Sequence, residues 1–135
     1  MEEKTDKQIE AIAKIISLTR KNDLKWEALP YDNIPKKYQN EIIDSAYLTY
    51  FKNKPLRIYR RKYRVADTNT NINNLIRGVL SSTDGRITDV ILDITNDEGH
   101  SLWEFPKEAI LKDLLKVIKY KTSGAEDVIN SLLEE

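Results

Sequence analysis

Two segments in the middle of the chain alternate apolar and polar residues with the two-residue period of β-strands. They lie within Ile43 to Val65 and flank Lys52-Asn53-Lys54-Pro55, a polar break of hairpin length. Tyr47 lies on one face of the first segment, with Thr49 and Phe51. In the second segment, one face carries Leu56 and Ile58, and the opposite face carries Arg57, Tyr59, Arg61 and Tyr63. The pattern predicts an antiparallel hairpin with an arginine- and tyrosine-rich face.

Strand patterns return near the end of the chain. Arg86 to Thr95 has Val90, Leu92 and Ile94 on one face. Asn96-Asp97-Glu98-Gly99 predicts a reverse turn in which Gly99 takes a positive φ, and His100 to Phe105 predicts the returning strand. Such short links between strands favour a meander.

The region between these two sets of strands is less regular. Ala66 to Asn74 predicts a polar loop, and Leu75 to Leu80 predicts either a strand or a short helix. Asp84-Gly85 is a typical type I′ turn sequence.

The first residues have the 3.6-residue period of a helix. Thr5-Asp6-Lys7-Gln8 matches a capping box, so we expect the helix to begin there and to end at Asn22-Asp23. Leu24-Lys25-Trp26 predicts a short strand. The following Glu27 to Asn40 contains two prolines and predicts an irregular connection, with one possible helical turn at Lys36 to Tyr38.

Two helices are predicted at the end of the chain. Pro106 suits the first position of a helix over Lys107 to Lys121, whose apolar stripe would cover one face of the sheet. Ser123-Gly124-Ala125-Glu126 matches a second capping box. The helix that follows is predicted to bury Val128, Ile129, Leu132 and Leu133.

These elements predict one α+β domain over residues 1–135. Its sheet would be curved and antiparallel, with four to six strands in meander order. The N-terminal helix and the two C-terminal helices would pack against it.

Composition narrows the class of protein. Hydrophobic residues make up 40% of the chain and charged residues 33%, and no apolar run reaches the ~20 residues that span a bilayer. The start, MEEKTDKQIE, lacks the basic and apolar regions of a signal peptide, and the chain has no cysteine. We therefore expect a cytoplasmic protein without a membrane partner. The abundance of Lys, Ile and Asn suggests a bacterial source with an AT-rich genome.

Charge is balanced over the whole chain but not along it. The 22 basic and 22 acidic side chains cancel, which argues against a general nucleic-acid binder. Lys52 to Arg64, however, holds seven basic residues and no acid, whereas Ala125 to Glu135 holds four acids and no base.

The basic and aromatic hairpin is the leading candidate for a binding site. One interpretation is that Tyr47, Arg57, Tyr59, Arg61 and Tyr63 recognise an acidic protein partner, as in an accessory or immunity protein. A second is that arginines fork onto phosphates and tyrosines stack on bases of a single-stranded nucleic acid. The simpler interpretation is a solvated sheet face whose charges discourage aggregation.

An enzyme is the remaining alternative. It would be a hydrolase or small-molecule enzyme built around His100, the only histidine, or around the carboxylate pair Asp89 and Asp93. Asp93, Asp97, Glu98 and His100 are close enough in sequence to approach a cation, but Asp97 and Glu98 are better explained as turn residues. The chain has no Gly-x-Ser-x-Gly or comparable nucleophile motif, and its four glycines are not spaced as a phosphate-binding loop. Together with the turn interpretation of Asp97 and Glu98, this leads us to expect no catalytic residue, metal or cofactor.

Two tryptophans complete the set of candidates. We expect Trp26 and Trp103 to pack in the core, the latter beside Phe105 on the same strand face. An exposed ring at either position would instead be a candidate interface hot spot.

The order of these signals resembles a loosely defined group of small, mostly uncharacterised bacterial proteins often carried near mobile elements. The shared features are Leu18-Thr19 and Leu24-Lys25-Trp26 after the first helix, the tyrosine-rich hairpin, and Leu102-Trp103-Glu104-Phe105-Pro106 before paired helices. The resemblance implies an α+β domain and no catalytic residues.

Overall fold

A computed structural model describes residues 2–64 and 86–135 of the chain. In chain order the elements are α1 (Glu2–Arg20), β1 (Glu27–Ala28), a 3-10 helix (Tyr31–Asn33), β2 (Ile42–Phe51), β3 (Lys54–Arg64), β4 (Arg86–Thr95), β5 (Ser101–Glu104), α2 (Ile110–Thr122) and α3 (Ala125–Glu134). The loop predicted for 66–74, the strand or helix predicted for 75–80 and the turn predicted at 84–85 lie outside the described residues.

The described strands form one open antiparallel sheet in the order β1-β2-β3-β4-β5, so the predicted α+β class and meander order are confirmed. The turn between β2 and β3 is shorter than predicted because Lys54 and Pro55 already pair with β2. Its two central residues, Lys52 and Asn53, have φ of 50° and 68°. Positive φ at both central residues is the signature of a type I′ turn.

One face of the sheet carries the main hydrophobic core. Leu56 and Ile58 of β3 and Leu92 of β4 are buried there together with Ile12 of α1 and Leu114 of α2. Because each such side chain contributes roughly 1.5–3 kcal/mol when fully buried, this layer accounts for much of the stability. It confirms that helices from both ends of the chain pack on the sheet.

The opposite face of the sheet is also covered, although by a different part of the chain. Ile34, from the connection between β1 and β2, packs in a second cluster with Ala46, Tyr59 and Ile91. The connection is tied to β2 by the Leu29 N–H, which donates to the Ala46 carbonyl at 2.9 Å. The segment for which the sequence predicts only an irregular connection therefore covers the centre of this face of the sheet.

Several helix and strand boundaries differ from the sequence prediction. Helix α1 begins at Glu2, so Thr5 lies inside the helix and does not precede it. Helix α2 begins at Ile110, three residues later than predicted, and Pro106 is not at its first position. Strand β1 lies just after Trp26, and the helical turn between β1 and β2 is at Tyr31–Asn33, ahead of the predicted position.

The last helix begins differently from the predicted capping box. The residue before it is Gly124, in the left-handed region with φ of 79°, and the Ser123 hydroxyl accepts a hydrogen bond from the Ala125 N–H at 3.1 Å. Within residues 2–64 and 86–135, no helix combines the length and apolar character needed to cross a bilayer.

Candidate functional site

The five predicted binding residues do not share a face of the sheet. Tyr47 pairs with Ile58 in the β2–β3 register and is half-buried against the main core. The other four alternate along β3 on the opposite face, as predicted, but they are buried rather than solvated. The exposed fractions are 2% for Arg57, 5% for Tyr59, 5% for Arg61 and 8% for Tyr63. The prediction of an open arginine and tyrosine surface is therefore wrong.

Arg57 is held by its register partner on the neighbouring strand. Its Nε and Nη2 donate to the two carboxylate oxygens of Asp93 at 3.0 and 2.6 Å, and its Nη1 donates to the Gly99 carbonyl at 2.9 Å. Asp93 is fully buried. Because a bidentate pair uses both carboxylate oxygens, this guanidinium is occupied inside the fold.

Arg61 is held by Glu41, a residue that the sequence analysis did not single out. The Arg61 Nε donates to the Glu41 carboxylate at 2.7 Å, and its Nη2 donates to the Pro35 carbonyl at 3.1 Å. The N–H groups of Lys37 and Tyr38 donate to the other carboxylate oxygen, the latter at 2.6 Å. Burial opposes ionisation of Glu41, but the hydrogen bonds from Tyr38, Arg61 and Lys37 outweigh it and lower the pKa of the carboxyl group.

The tyrosine rings of β3 are part of the same buried layer. The Tyr59 ring lies between two guanidinium groups, with its centroid 5.3 Å from Arg57 Cζ and 5.2 Å from Arg61 Cζ. The Tyr63 ring stacks on Tyr38 at 4.0 Å, and its hydroxyl donates to Asp89 at 2.9 Å. Burial raises the pKa of both tyrosines, and for Tyr63 the bond to Asp89 raises it further.

Two more cations of the hairpin are neutralised on its other face. Asp44 lies where the β2–β3 register shifts, between Ile43 and Ser45. Its carboxylate bonds Arg60 at 2.7 Å and Lys62 at 3.0 Å. Burial opposes ionisation of Asp44, yet these two partners lower its pKa. Four of the seven basic residues between Lys52 and Arg64 are therefore paired with acids from elsewhere in the fold.

The groups proposed for an enzyme alternative are also accounted for. The predicted reverse turn is present: Asn96 Oδ1 accepts bonds from the Glu98 and His100 N–H groups at 3.0 and 2.9 Å, and Gly99 has a φ of 86°. The His100 side chain is exposed, 3.6 Å from Glu98. Asp93 is bonded to Arg57, and Asp89 is bonded to Tyr63 and Lys107. Both carboxylates of the proposed pair are therefore engaged by other side chains of the fold.

The two tryptophans have different environments. Trp26 is buried, as predicted, and its indole N–H donates to the Thr19 hydroxyl at 3.0 Å. Trp103 is 43% exposed on the edge strand β5, where its ring meets Phe105 edge to face at 4.9 Å. The core position expected for Trp103 is therefore wrong, because no further strand of the described sheet lies beyond β5.

Tyr47 lines a groove of about 780 Å³ between the segment that follows α1 and the C-terminal end of α2. We call it the lysine groove. Its lining includes three lysines (Lys25, Lys119 and Lys121) and four largely apolar side chains (Leu24, Trp26, Ala28 and Tyr47). Glu27 is the acid in this lining. A groove lined by both largely apolar side chains and lysines suits an amphipathic segment that carries carboxylates.

The C-terminal helix α3, which begins two residues after the groove residue Ser123, presents an exposed apolar face. Its Val128, Ile129, Leu132 and Leu133 are between 43% and 80% exposed, so the prediction that they are buried is wrong. The amphipathic pattern is present, but the described part of the fold supplies no element that covers it. Lys121 of α2 pairs with Glu126 at the start of α3 at 3.2 Å.

Comparison with protein-family models, with curated proteins and with solved structures found no match to this chain. The resemblance to small bacterial proteins near mobile elements therefore stays a prediction, and function has to be argued from the groove and the helix themselves.

Proposed function

We propose that the protein is a non-enzymatic, cytoplasmic binding protein of bacterial type that accepts an acidic, amphipathic protein segment in the lysine groove. The observation that carries the proposal is the combination, in one groove, of Lys25 and Lys119 with the largely apolar side chains of Leu24, Trp26, Ala28 and Tyr47. The third lysine of the lining, Lys121, pairs with Glu126. An accessory or immunity-like role would use such a surface.

The proposal keeps the acidic protein partner predicted from the sequence but moves its site. Arg57 and Arg61 are bonded to buried carboxylates, so they do not supply charge for a partner. Lys25 and Lys119 replace them, with Tyr47 as the one predicted binding residue that lines the new site. Partly exposed charges of this kind steer association and set specificity more than they add affinity.

The alternative of single-stranded nucleic acid binding loses its main support. It required tyrosine rings that are free to stack on bases, and Tyr59 and Tyr63 are buried. In the lysine groove the partly exposed ring is that of Tyr47, so the lysines there would contribute mainly the salt-dependent phosphate term.

The test is fluorescence anisotropy with a labelled 14-residue helical peptide that has leucines on one face and glutamates on the other. A matched peptide has lysine in place of each glutamate. The full chain is used with Leu132→Ser and Leu133→Ser, so that exposed leucines of α3 do not adsorb the peptides. We expect the glutamate peptide to bind at least about tenfold more tightly than the lysine peptide, a difference of ~1.4 kcal/mol.

Groove variants assign that binding to the site. Lys25→Glu with Lys119→Glu should weaken the glutamate peptide about tenfold or more. Lys54→Glu, an exposed lysine at the start of β3, is the matched control and should leave binding unchanged. Equal binding of the two peptides, or no effect of the groove variant, would contradict the proposal. Tighter binding of a labelled oligo(dT) strand would favour nucleic acid instead.

A further inference from the structure

We infer that the acidic segment accepted by the lysine groove is α3 of a second copy of this chain, exchanged reciprocally in a homodimer. The inference rests on the proposed function, because it names the partner of the same groove. Three independent features of the molecule support it: an uncovered apolar face, complementary charge, and the position from which α3 starts.

The apolar face of α3 is the first feature. Residues 128, 129, 132 and 133 recur at the spacing that forms one stripe along a helix, and all four side chains are exposed. Helices α1 and α2 bury residues such as Ile12, Leu111 and Ile118 completely. Contiguous exposed apolar side chains on an otherwise well-packed protein mark a contact surface.

Charge selects the surface that covers this face. Four acids and no base lie on or beside α3 (Glu126, Asp127, Glu134 and Glu135). Glu126 and Glu135 flank the apolar stripe, whereas Asp127 and Glu134 lie on the opposite side of the helix. Two α3 helices packed stripe against stripe would bring the flanking acids together. The lysine groove instead offers Lys25 and Lys119 beside an apolar lining. The groove is therefore the better complement on this chain for its own C-terminal helix.

Position makes the exchange sterically simple. Thr122 and Ser123 line the lysine groove, and α3 starts at Ala125, so the helix leaves from the edge of the groove. The linking residue, Gly124, has a φ of 79°, and a Cβ built on it would meet no atom within 4 Å. A ten-residue helix is about 15 Å long. Exchange of a terminal helix between identical chains forms a closed, two-fold dimer at low structural cost.

Sedimentation equilibrium of the full chain over a wide concentration range is the first test. We expect the wild-type chain to be a dimer and the Leu132→Ser, Leu133→Ser variant to be a monomer. The urea midpoint of the variant should match that of the wild-type chain diluted until it is monomeric. The matched control is Leu102→Ser, which removes another exposed leucine, on β5, and should leave the dimer intact. A dimer that survives loss of both α3 leucines would overturn the inference.

Charge reversal distinguishes the groove from direct helix pairing. The groove variant is Lys25→Glu with Lys119→Glu, and the helix variant is Glu126→Lys with Glu135→Lys, which changes the two acids that flank the apolar stripe. Each alone should weaken the homodimer at least about tenfold. An equal mixture should restore dimers, because each groove then meets a helix of opposite charge. A mixture of the helix variant with the wild-type chain should form no more dimer than the wild-type chain forms alone. If that last mixture forms more dimer and the groove variant does not weaken association, α3 pairs with α3 and the inference is wrong.

The peptide experiment separates failure of this inference from failure of the proposed function. A wild-type chain that stays monomeric, with a groove that still prefers the glutamate peptide, would overturn the homodimer and leave an acidic partner of another kind. A monomeric chain whose groove ignores that peptide would overturn both. Glutamate-peptide binding that is weaker to the wild-type dimer than to the leucine variant would support both.

Discussion

The indole N–H of Trp26 donates to the Thr19 hydroxyl, and that hydroxyl donates in turn to the Ile15 carbonyl at 2.8 Å. The relay attaches the lining of the lysine groove to α1. Thr19→Val would leave the buried indole N–H without a partner, so we expect the free energy of unfolding to fall by about 1–3 kcal/mol. Urea denaturation measures this change.

Thr122 provides the control for that measurement. Its hydroxyl makes the same bond to the carbonyl four residues earlier, that of Ile118, at 2.8 Å. The two threonines differ in that the Thr19 hydroxyl also accepts a hydrogen bond from the Trp26 indole. Thr122→Val should therefore cost no more than about 0.5 kcal/mol. Equal losses in the two valine variants would show that the relay from Trp26 does not matter.

The Arg57–Asp93 pair should be coupled in a double-mutant cycle. Asp93→Asn leaves a buried guanidinium without its counter-charge, and we expect it to cost about 3–5 kcal/mol. Replacing both residues by apolar ones, Arg57→Met with Asp93→Leu, should cost less than Asp93→Asn alone. Chemical denaturation of Arg57→Met, of Asp93→Leu and of the double variant gives the coupling energy. A double variant that loses the sum of the single losses would refute this account of the pair.

Glu41 should make stability depend on pH in the acid range. Its folded-state pKa lies below the unfolded value of about 4.3, so its contribution is complete above that value. The contribution is lost as pH falls from ~4.3 through the folded-state pKa. We expect the difference in unfolding free energy between wild type and Glu41→Gln to be largest at neutral pH and to shrink below pH ~4.

Glu10→Gln is the matched change at an exposed position on α1. Denaturation curves for the three proteins between pH ~3 and ~7 test the prediction. Glu10→Gln should resemble wild type at neutral pH, because exposed substitutions change stability little. A Glu41→Gln deficit that grows as pH falls would mean that the sign assigned to this carboxylate is wrong.

Substitutions in the β2–β3 turn should increase the stability of the fold. Lys52 holds a positive φ of 50°, which lysine adopts at a cost, and Asn53 follows at 68°. Asn-Gly is the preferred pair for this turn, so Lys52→Asn with Asn53→Gly should raise the free energy of unfolding by about 0.5–1 kcal/mol. Lys54→Asn, the same side-chain change inside β3, should bring no gain because asparagine is disfavoured in strands. Thermal unfolding of the two variants gives the comparison.

The fold could be predicted because strand and helix periods are strong local signals. Arg86 to Thr95 was predicted to the residue, and the hairpin and the sheet order followed from short links between alternating segments. Helix ends were less accurate because caps can form at several neighbouring residues. Gly124 rather than Ser123 precedes α3, for instance.

The buried face of β3 could not be predicted because alternation shows which residues share a face and not what covers it. The covering segment, residues 29–41, has no period to reveal it. The acids that neutralise Arg57 and Arg61 lie 36 and 20 residues away along the chain. One signal was present in the sequence. Glu41 lies just before β2 and Asp44 lies near its start, and both are acids close to a segment, Lys52 to Arg64, that holds seven bases and no acid.

The exposed face of α3 was missed for the converse reason. Val128, Ile129, Leu132 and Leu133 form the stripe that the sequence predicts, but a stripe does not say whether its cover belongs to the same molecule. Burial was inferred from amphipathicity alone.

The two carboxylate–guanidinium pairs on β3 also constrain how this chain can diverge. Loss of one member leaves its partner's charge buried without a counter-charge. Single replacements at positions 41, 57, 61 or 93 should therefore be rare among functional descendants. Changes at 57 and 93, and at 41 and 61, should instead arrive together. Joint variation at these positions would then report ancestry and packing, and not a shared ligand.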